Sequence, residues 1–70
     1  MIQKEDLIIT RHAQEKMVIE SISTEQIIEA IQRGSKFNQT DGLLAVYGYY
    51  SVAYKIIGST FVIKTVFLNR

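Results

Sequence analysis

Tyr50-Ser51-Val52-Ala53-Tyr54-Lys55-Ile56-Ile57, then Gly58-Ser59, then Thr60-Phe61-Val62-Ile63-Lys64-Thr65-Val66-Phe67-Leu68: two runs of strand-forming residues broken by a Gly-Ser pair. Tyr, Val, Ile, Phe and Thr dominate both, and such side chains suit a pleated, half-buried surface. Gly at the first of two turn positions suits a type II′ turn, whose twist matches that of the strands it joins. The hairpin predicts an antiparallel sheet in the C-terminal half.

Working back from it, Leu43 to Tyr47 reads as a further strand, with Gly48-Tyr49 as the turn between. Lys36-Phe37-Asn38-Gln39 is a short candidate strand. Thr40-Asp41-Gly42 is its turn, and Asp-Gly is the strongest short hairpin signal. Two-residue loops fix a register, and a register sorts side chains by face. One face gathers Leu43, Ala45, Tyr47, Tyr50, Val52, Tyr54, Ile56, Phe61, Ile63, Thr65 and Phe67. It is rich enough to be the core side. The other gathers Leu44, Val46, Ser51, Ala53, Lys55, Val62, Lys64 and Val66. An outer face is normally more polar than this, so the strip reads as a partner surface.

Upstream the period changes to that of helices. Ser23-Thr24-Glu25-Gln26 is a capping box, with Ile22 and Ile27 as its hydrophobic staple. Ile27, Ile28 and Ile31 form a stripe on the helix that follows, and Gly34 is a natural residue to end it. An earlier helix runs from Arg11 to Glu20, with Thr10 as N-cap. Leu7-Ile8-Ile9 is too short to classify; it is an edge strand or a segment docked under the first helix. Helices followed by strands predict an α+β fold: two N-terminal helices packed on one face of a three- to four-stranded antiparallel sheet.

Composition bounds the rest. Seventy residues make one domain, which buries about 60% of its unfolded surface and has little stability to spare. There is no Cys, so neither a disulfide nor a thiolate metal site holds the fold. The apolar runs are too short to cross a membrane, and the start of the chain lacks the order of a signal peptide. The cytoplasm is the expected location. A net charge of +1 argues against binding nucleic acid by bulk electrostatics. Glu5, Asp6 and the single His do not make metal-ligand spacing, and no Gly-rich phosphate loop precedes a helix, so no metal or cofactor is expected.

Arg11-His12-Ala13, Lys16-Met17 and Ile22-Ser23, followed by a helix and a Gly-punctuated meander ending Val62-Ile63-Lys64-Thr65-Val66-Phe67, resemble the domain-of-unknown-function family 4258. That pattern covers nearly the whole chain. The family is similar to small toxins of the RelE, ParE and BrnT type, in which two helices pack on a curled antiparallel sheet and many members cleave RNA without metal. By this resemblance His12 takes the place of the family histidine and Lys16 that of its arginine. Two residues depart from the pattern: Glu20 stands where a second basic residue is usual, and Ser21 where Gly is. A carboxylate near a phosphate site repels the substrate.

Metal-free RNA cleavage needs a base for the 2′-hydroxyl, an acid for the leaving oxygen, and cations for the phosphorane charge. Histidine as a residue type ordinarily has a pKa of about 6.5, near working pH, which makes His12 the candidate base or acid. Lys16 and Tyr54 complete the candidate catalytic set, and Arg11, Lys55 and Lys64 are the candidate RNA contacts. Each residue also has a plainer reading. His12 can be a helix-start residue bonded to a loop carbonyl, the tyrosines core residues with hydroxyls at the rim, and the lysines a solvated sheet face. Two functions follow as expectations: a small toxin-like ribonuclease with a degenerate site, or a non-catalytic interaction module, such as a regulator of a mobile element or phage. Its partner would be an antitoxin-like segment or a second copy, laid on the outer sheet face.

Overall fold

A computed structural model describes residues 1–69. A 3-10 turn (Lys4–Asp6) leads into β1 (Leu7–Ile9), α1 (Arg11–Glu20), α2 (Thr24–Arg33), β2 (Ser35–Gln39), β3 (Gly42–Tyr47), β4 (Tyr50–Ile57) and β5 (Thr60–Leu68). The fold is α+β, with the helices before the meander. The sheet has five strands in the order β1-β5-β4-β3-β2. Two expectations are corrected: the sheet has five strands, not three or four, and it is mixed, not antiparallel throughout. Of the two readings left open for Leu7-Ile8-Ile9 the edge strand holds, and it pairs with β5 in parallel. β5 therefore lies inside the sheet at Phe61–Ile63, where β1 covers its side, while beyond Ile63 it pairs with β4 alone.

Both helices form as their caps dictate. Ser23 Oγ accepts from the Gln26 N–H at 3.2 Å, and Gln26 Oε1 accepts from the Ser23 N–H at 2.8 Å. Ile22 and Ile27, the two residues of the staple, are both buried. α1 ends at Ser21 in the left-handed region, φ 58°. That conformation suits Gly better than Ser, so Ser21 carries backbone strain here. Gly34 is needed for another reason than a left-handed cap. Its φ is −73°, but a Cβ there would lie 2.6 Å from the Ala30 carbonyl oxygen and 2.7 Å from that of Val46. It lets the end of α2 come against β3.

One core joins both layers: Ala13 from α1, Ile22, then Ile27, Ala30 and Ile31 from α2, against Ala45, Tyr50, Val52, Tyr54, Ile63 and Val66 of the sheet. Val66 is fully buried, where register from the turn alone puts it outside. The cause is a β-bulge. Tyr54 pairs with Ile63 but Ala53 with Thr65, so Lys64 is an extra residue in β5. One extra residue inverts every later side chain. Val66 and Leu68 turn to the core, and Thr65 and Phe67 to the outer face. Ile56 is on the core side, as expected, but lies half-exposed.

The bulge coincides with the place where β1 gives way to α1. β1 ends at Ile9, opposite Ile63. Thr10 then donates its N–H to the Ile63 carbonyl at 3.2 Å. Its hydroxyl donates to the carbonyls of Ile63 (2.9 Å) and Lys64 (3.3 Å) and accepts the Ala13 N–H (3.2 Å). One side chain thus caps the helix and pins it to the irregular point of the neighbouring strand.

Candidate functional site

The six residues singled out in the sequence fall in three places. Arg11 and His12 are exposed in the first turn of α1. Lys16 follows one turn after His12, so helical spacing makes them neighbours. The Lys16 ammonium lies 3.1 Å from the Glu20 carboxylate, and both side chains are largely covered. This pair borders an open depression with Phe67, Leu68 and Asn69. With Glu20 so close, Lys16 presents little net positive charge to a phosphate.

Tyr54 lies elsewhere. Its side chain faces the core, only 2% exposed, with its ring 6.2 Å from that of Phe61. Burial pushes its hydroxyl above the ordinary tyrosine range, so it keeps its proton. Tyr54 is thus a core residue and does not meet His12 at a common surface. Lys55 and Lys64 make the third place, on the outer face. Both reach Asp41 in the β2–β3 turn: Lys55 Nζ is 3.7 Å from its carboxylate, and Lys64 Nζ donates to its backbone carbonyl. His12 and Lys16 lie one helical turn apart and Lys55 and Lys64 share Asp41, but the two pairs and Tyr54 do not form one constellation.

The other tyrosines are structural or peripheral. Tyr50 donates its hydroxyl to the Gln26 carbonyl at 2.8 Å, which fastens α2 to β4, and burial raises its pKa. Tyr49 is exposed in the β3–β4 turn, and its hydroxyl accepts from Gln26 Nε2 at 3.2 Å. Among the described residues no row of aromatic rings lies on the outer face to stack bases.

That outer face holds what sequence reasoning saw only in part. Pairing aligns Ser35, Val46, Ser51 and Phe67 in one row, and Phe37, Leu44, Ala53 and Thr65 in the next. A third row joins Lys55, Val62 and Ile8. Ser51 and Ala53 are small and nearly covered, so larger neighbours stand on both sides of them. Ser51 Oγ hydrogen-bonds the Asn69 side chain, and Asn69 Nδ2 donates to the Gly48 carbonyl, so the last described residue fastens this end of the sheet. Phe37, Ile8 and Ile57 are each more than half exposed, at 54, 56 and 58%. Phe37 was missed because Gly42 was read as part of the turn, whereas it pairs with Gln39 and so sets Phe37 opposite Leu44. Phe67 was hidden by the bulge.

Comparison with known protein families, with curated proteins and with solved structures finds no match. Among the described residues no three acidic or histidine side chains are grouped to hold a metal ion, and no helix is long and apolar enough to cross a membrane.

Proposed function

We propose that the protein is a polypeptide-binding module, built on a small toxin-like scaffold, that receives an apolar, acidic segment of a partner on its outer sheet face. One observation carries this reading. Phe37, Ile8 and Ile57 stand more than half exposed on the side of the sheet that no helix covers, continuous with Leu44, Val46, Val62 and Phe67. A contiguous apolar surface of this kind on a small domain marks an interaction site. Among the described residues, the charges in or beside these rows are Lys55 and the bulged Lys64, with Asp41 between them. Two cations beside one acidic residue, Lys55 at its carboxylate and Lys64 at its backbone carbonyl, leave a positive excess, which favours an acidic residue on the partner. Nucleic acid fits less well, since phosphate binding needs several cations in a row.

The test uses random peptides displayed on phage and selected on the immobilised protein. Enriched peptides are apolar with Asp or Glu, and Val62→Asp abolishes their binding while leaving the circular dichroism spectrum unchanged. Equal binding by Val62→Asp contradicts the reading. The cleavage reading rests on exposed His12 beside Lys16, and a single-stranded RNA incubated with the protein addresses it. No cleavage above buffer is expected. Cleavage that His12→Ala removes would replace the binding reading with a ribonuclease.

A further inference from the structure

We infer that a second copy of the chain pairs with β2 across a two-fold axis at Phe37, joining two sheets into one of ten strands. The inference rests on the reading of the outer face as an interaction surface and adds which contact the chain makes with itself.

β2 is a complete edge. It pairs with β3 over five residues without irregularity, and all five of its residues are exposed. Antiparallel ladders alternate in the direction of their backbone groups. Gln39 and Gly42 close the two-residue turn, so the N–H and C=O groups of Gln39, Phe37 and Ser35 point to β3. Those of Lys36 and Asn38 point outward. None of these four groups bonds to another described residue. Of the usual devices that spoil an edge the strand has neither Pro nor a bulge, and its one charge is Lys36.

Only one self-pairing uses all four groups. With Phe37 opposite its copy, Lys36 lies opposite Asn38 twice, and each of those pairs exchanges two hydrogen bonds. Moving the axis to Lys36 leaves one such pair and sets Lys36 against Lys36, with like charges opposed. It also calls on Gly34, whose N–H is already given to the Ala30 carbonyl at 2.8 Å. Moving the axis to Asn38 again leaves one pair and sets Lys36 against Thr40 in the turn. The Phe37 axis is therefore the favoured one.

Side chains agree with backbone. Phe37 and its copy form a non-hydrogen-bonded pair, the type in which side chains come closest. Residues directly opposite in one sheet share a face, so both rings lie on the outer side, and each covers apolar surface now in water. The two outer faces then run together across the axis. The contact is a single strand pair, below the area of a stable permanent interface, so association is weak, with a dissociation constant on the order of 100 µM.

The experiment is sedimentation of the full chain from about 10 µM to about 1 mM, a span that brackets such a constant. The wild type is expected to pass from monomer to dimer. Asn38→Pro removes one outward N–H without touching the bonds to β3, and Phe37→Asp sets two carboxylates against each other. Each raises the dissociation constant at least about tenfold. A chain without cysteine allows a positive test as well. The Cα atoms of such a pair lie about 4.5 Å apart, within disulfide reach, so Phe37→Cys cross-links to dimer under mild oxidation. Ile57→Cys, equally exposed on the same face, does not. A wild type that stays monomeric at the top concentration overturns the inference, and so does a dimer that Asn38→Pro and Phe37→Asp leave intact. If peptides still bind the outer face of that monomer and Val62→Asp still abolishes it, the self-pairing fails while the binding function stands.

Discussion

At one edge of the sheet, β1 has spent two of its outward groups, the Leu7 N–H and the Ile9 carbonyl; at the other, β2 has spent none on any described residue. The Leu7 N–H goes to the Lys4 carbonyl in the 3-10 turn, and the Ile9 carbonyl accepts from Gln14 Nε2 at 3.1 Å. β1 is only three residues long, and α1 begins where it stops. β2 has five residues, a regular register and four unspent backbone groups. Both edges carry a half-exposed hydrophobe on the outer face, Ile8 on one and Phe37 on the other. What separates them is therefore backbone chemistry and not apolarity. A closed edge resists strand addition whatever its side chains, whereas an open one accepts it if a partner fits.

The closed edge can be broken from within. Ile63 is fully buried and pairs with Ile9. Ile63→Ala should cost about 3 kcal/mol through the cavity it leaves, read as a lowered urea midpoint with an unchanged slope. In so small a domain this is a large part of the total stability. Thr10→Val keeps shape but removes the hydroxyl that caps α1 and meets the β5 carbonyls. It should cost about 2 kcal/mol, measured the same way.

The open edge should behave in the opposite manner. Phe37→Asp changes an exposed side chain, so stability measured at low concentration should shift by less than about 0.5 kcal/mol, while association is lost. A large fall in stability would mean that Phe37 is packed within the monomer. The smallest effect belongs to the closed edge again. Lys4 and Glu25 are 2.7 Å apart and tie the turn before β1 to α2. The hydrogen bond from Lys4, with its positive charge, holds the Glu25 carboxyl below its ordinary value. A depressed carboxyl contributes stability above the ordinary carboxylate range and loses it as pH falls through the folded value. Acidification should therefore loosen the 3-10 turn first, seen as a shift of the Leu7 amide resonance that Glu25→Gln flattens.

Much of this architecture is legible in the sequence, because local chemistry decided it. The Ser23–Gln26 box, the Thr10 cap and the two-residue turns at Gly48-Tyr49 and Gly58-Ser59 are short-range signals that tertiary packing had no cause to overrule. The reading left open at Leu7-Ile8-Ile9 and the misassignment after Lys64 are both long-range. Leu7-Ile8-Ile9 becomes a strand only because β5, more than fifty residues later, offers it a side. The bulge at Lys64 has no local mark. It follows from the meeting of β1, Thr10 and β5, and it moved Val66, Thr65 and Phe67 to the faces opposite those that alternation assigns. The candidate site was less legible than the fold. His12 beside Lys16 followed from helical spacing, and Lys55 and Lys64 on the outer face followed from register. Tyr54 was correctly given to the core face, and that burial is what keeps it from His12. The Lys16–Glu20 pair was foreshadowed by the departure at Glu20, but its geometry needed the folded helix. Phe37 in a polar strand drew no notice until the open edge gave it a context.

Amide hydrogen exchange followed against protein concentration tests the contrast between the edges most directly. The account predicts that Lys36 and Asn38 exchange fast in dilute solution and become protected as concentration rises. The amides of Leu7 to Ile9 should keep one rate throughout. Protection of Lys36 and Asn38 already complete in dilute monomer, or no change at any concentration, or a concentration-dependent slowing at β1 instead, would contradict it.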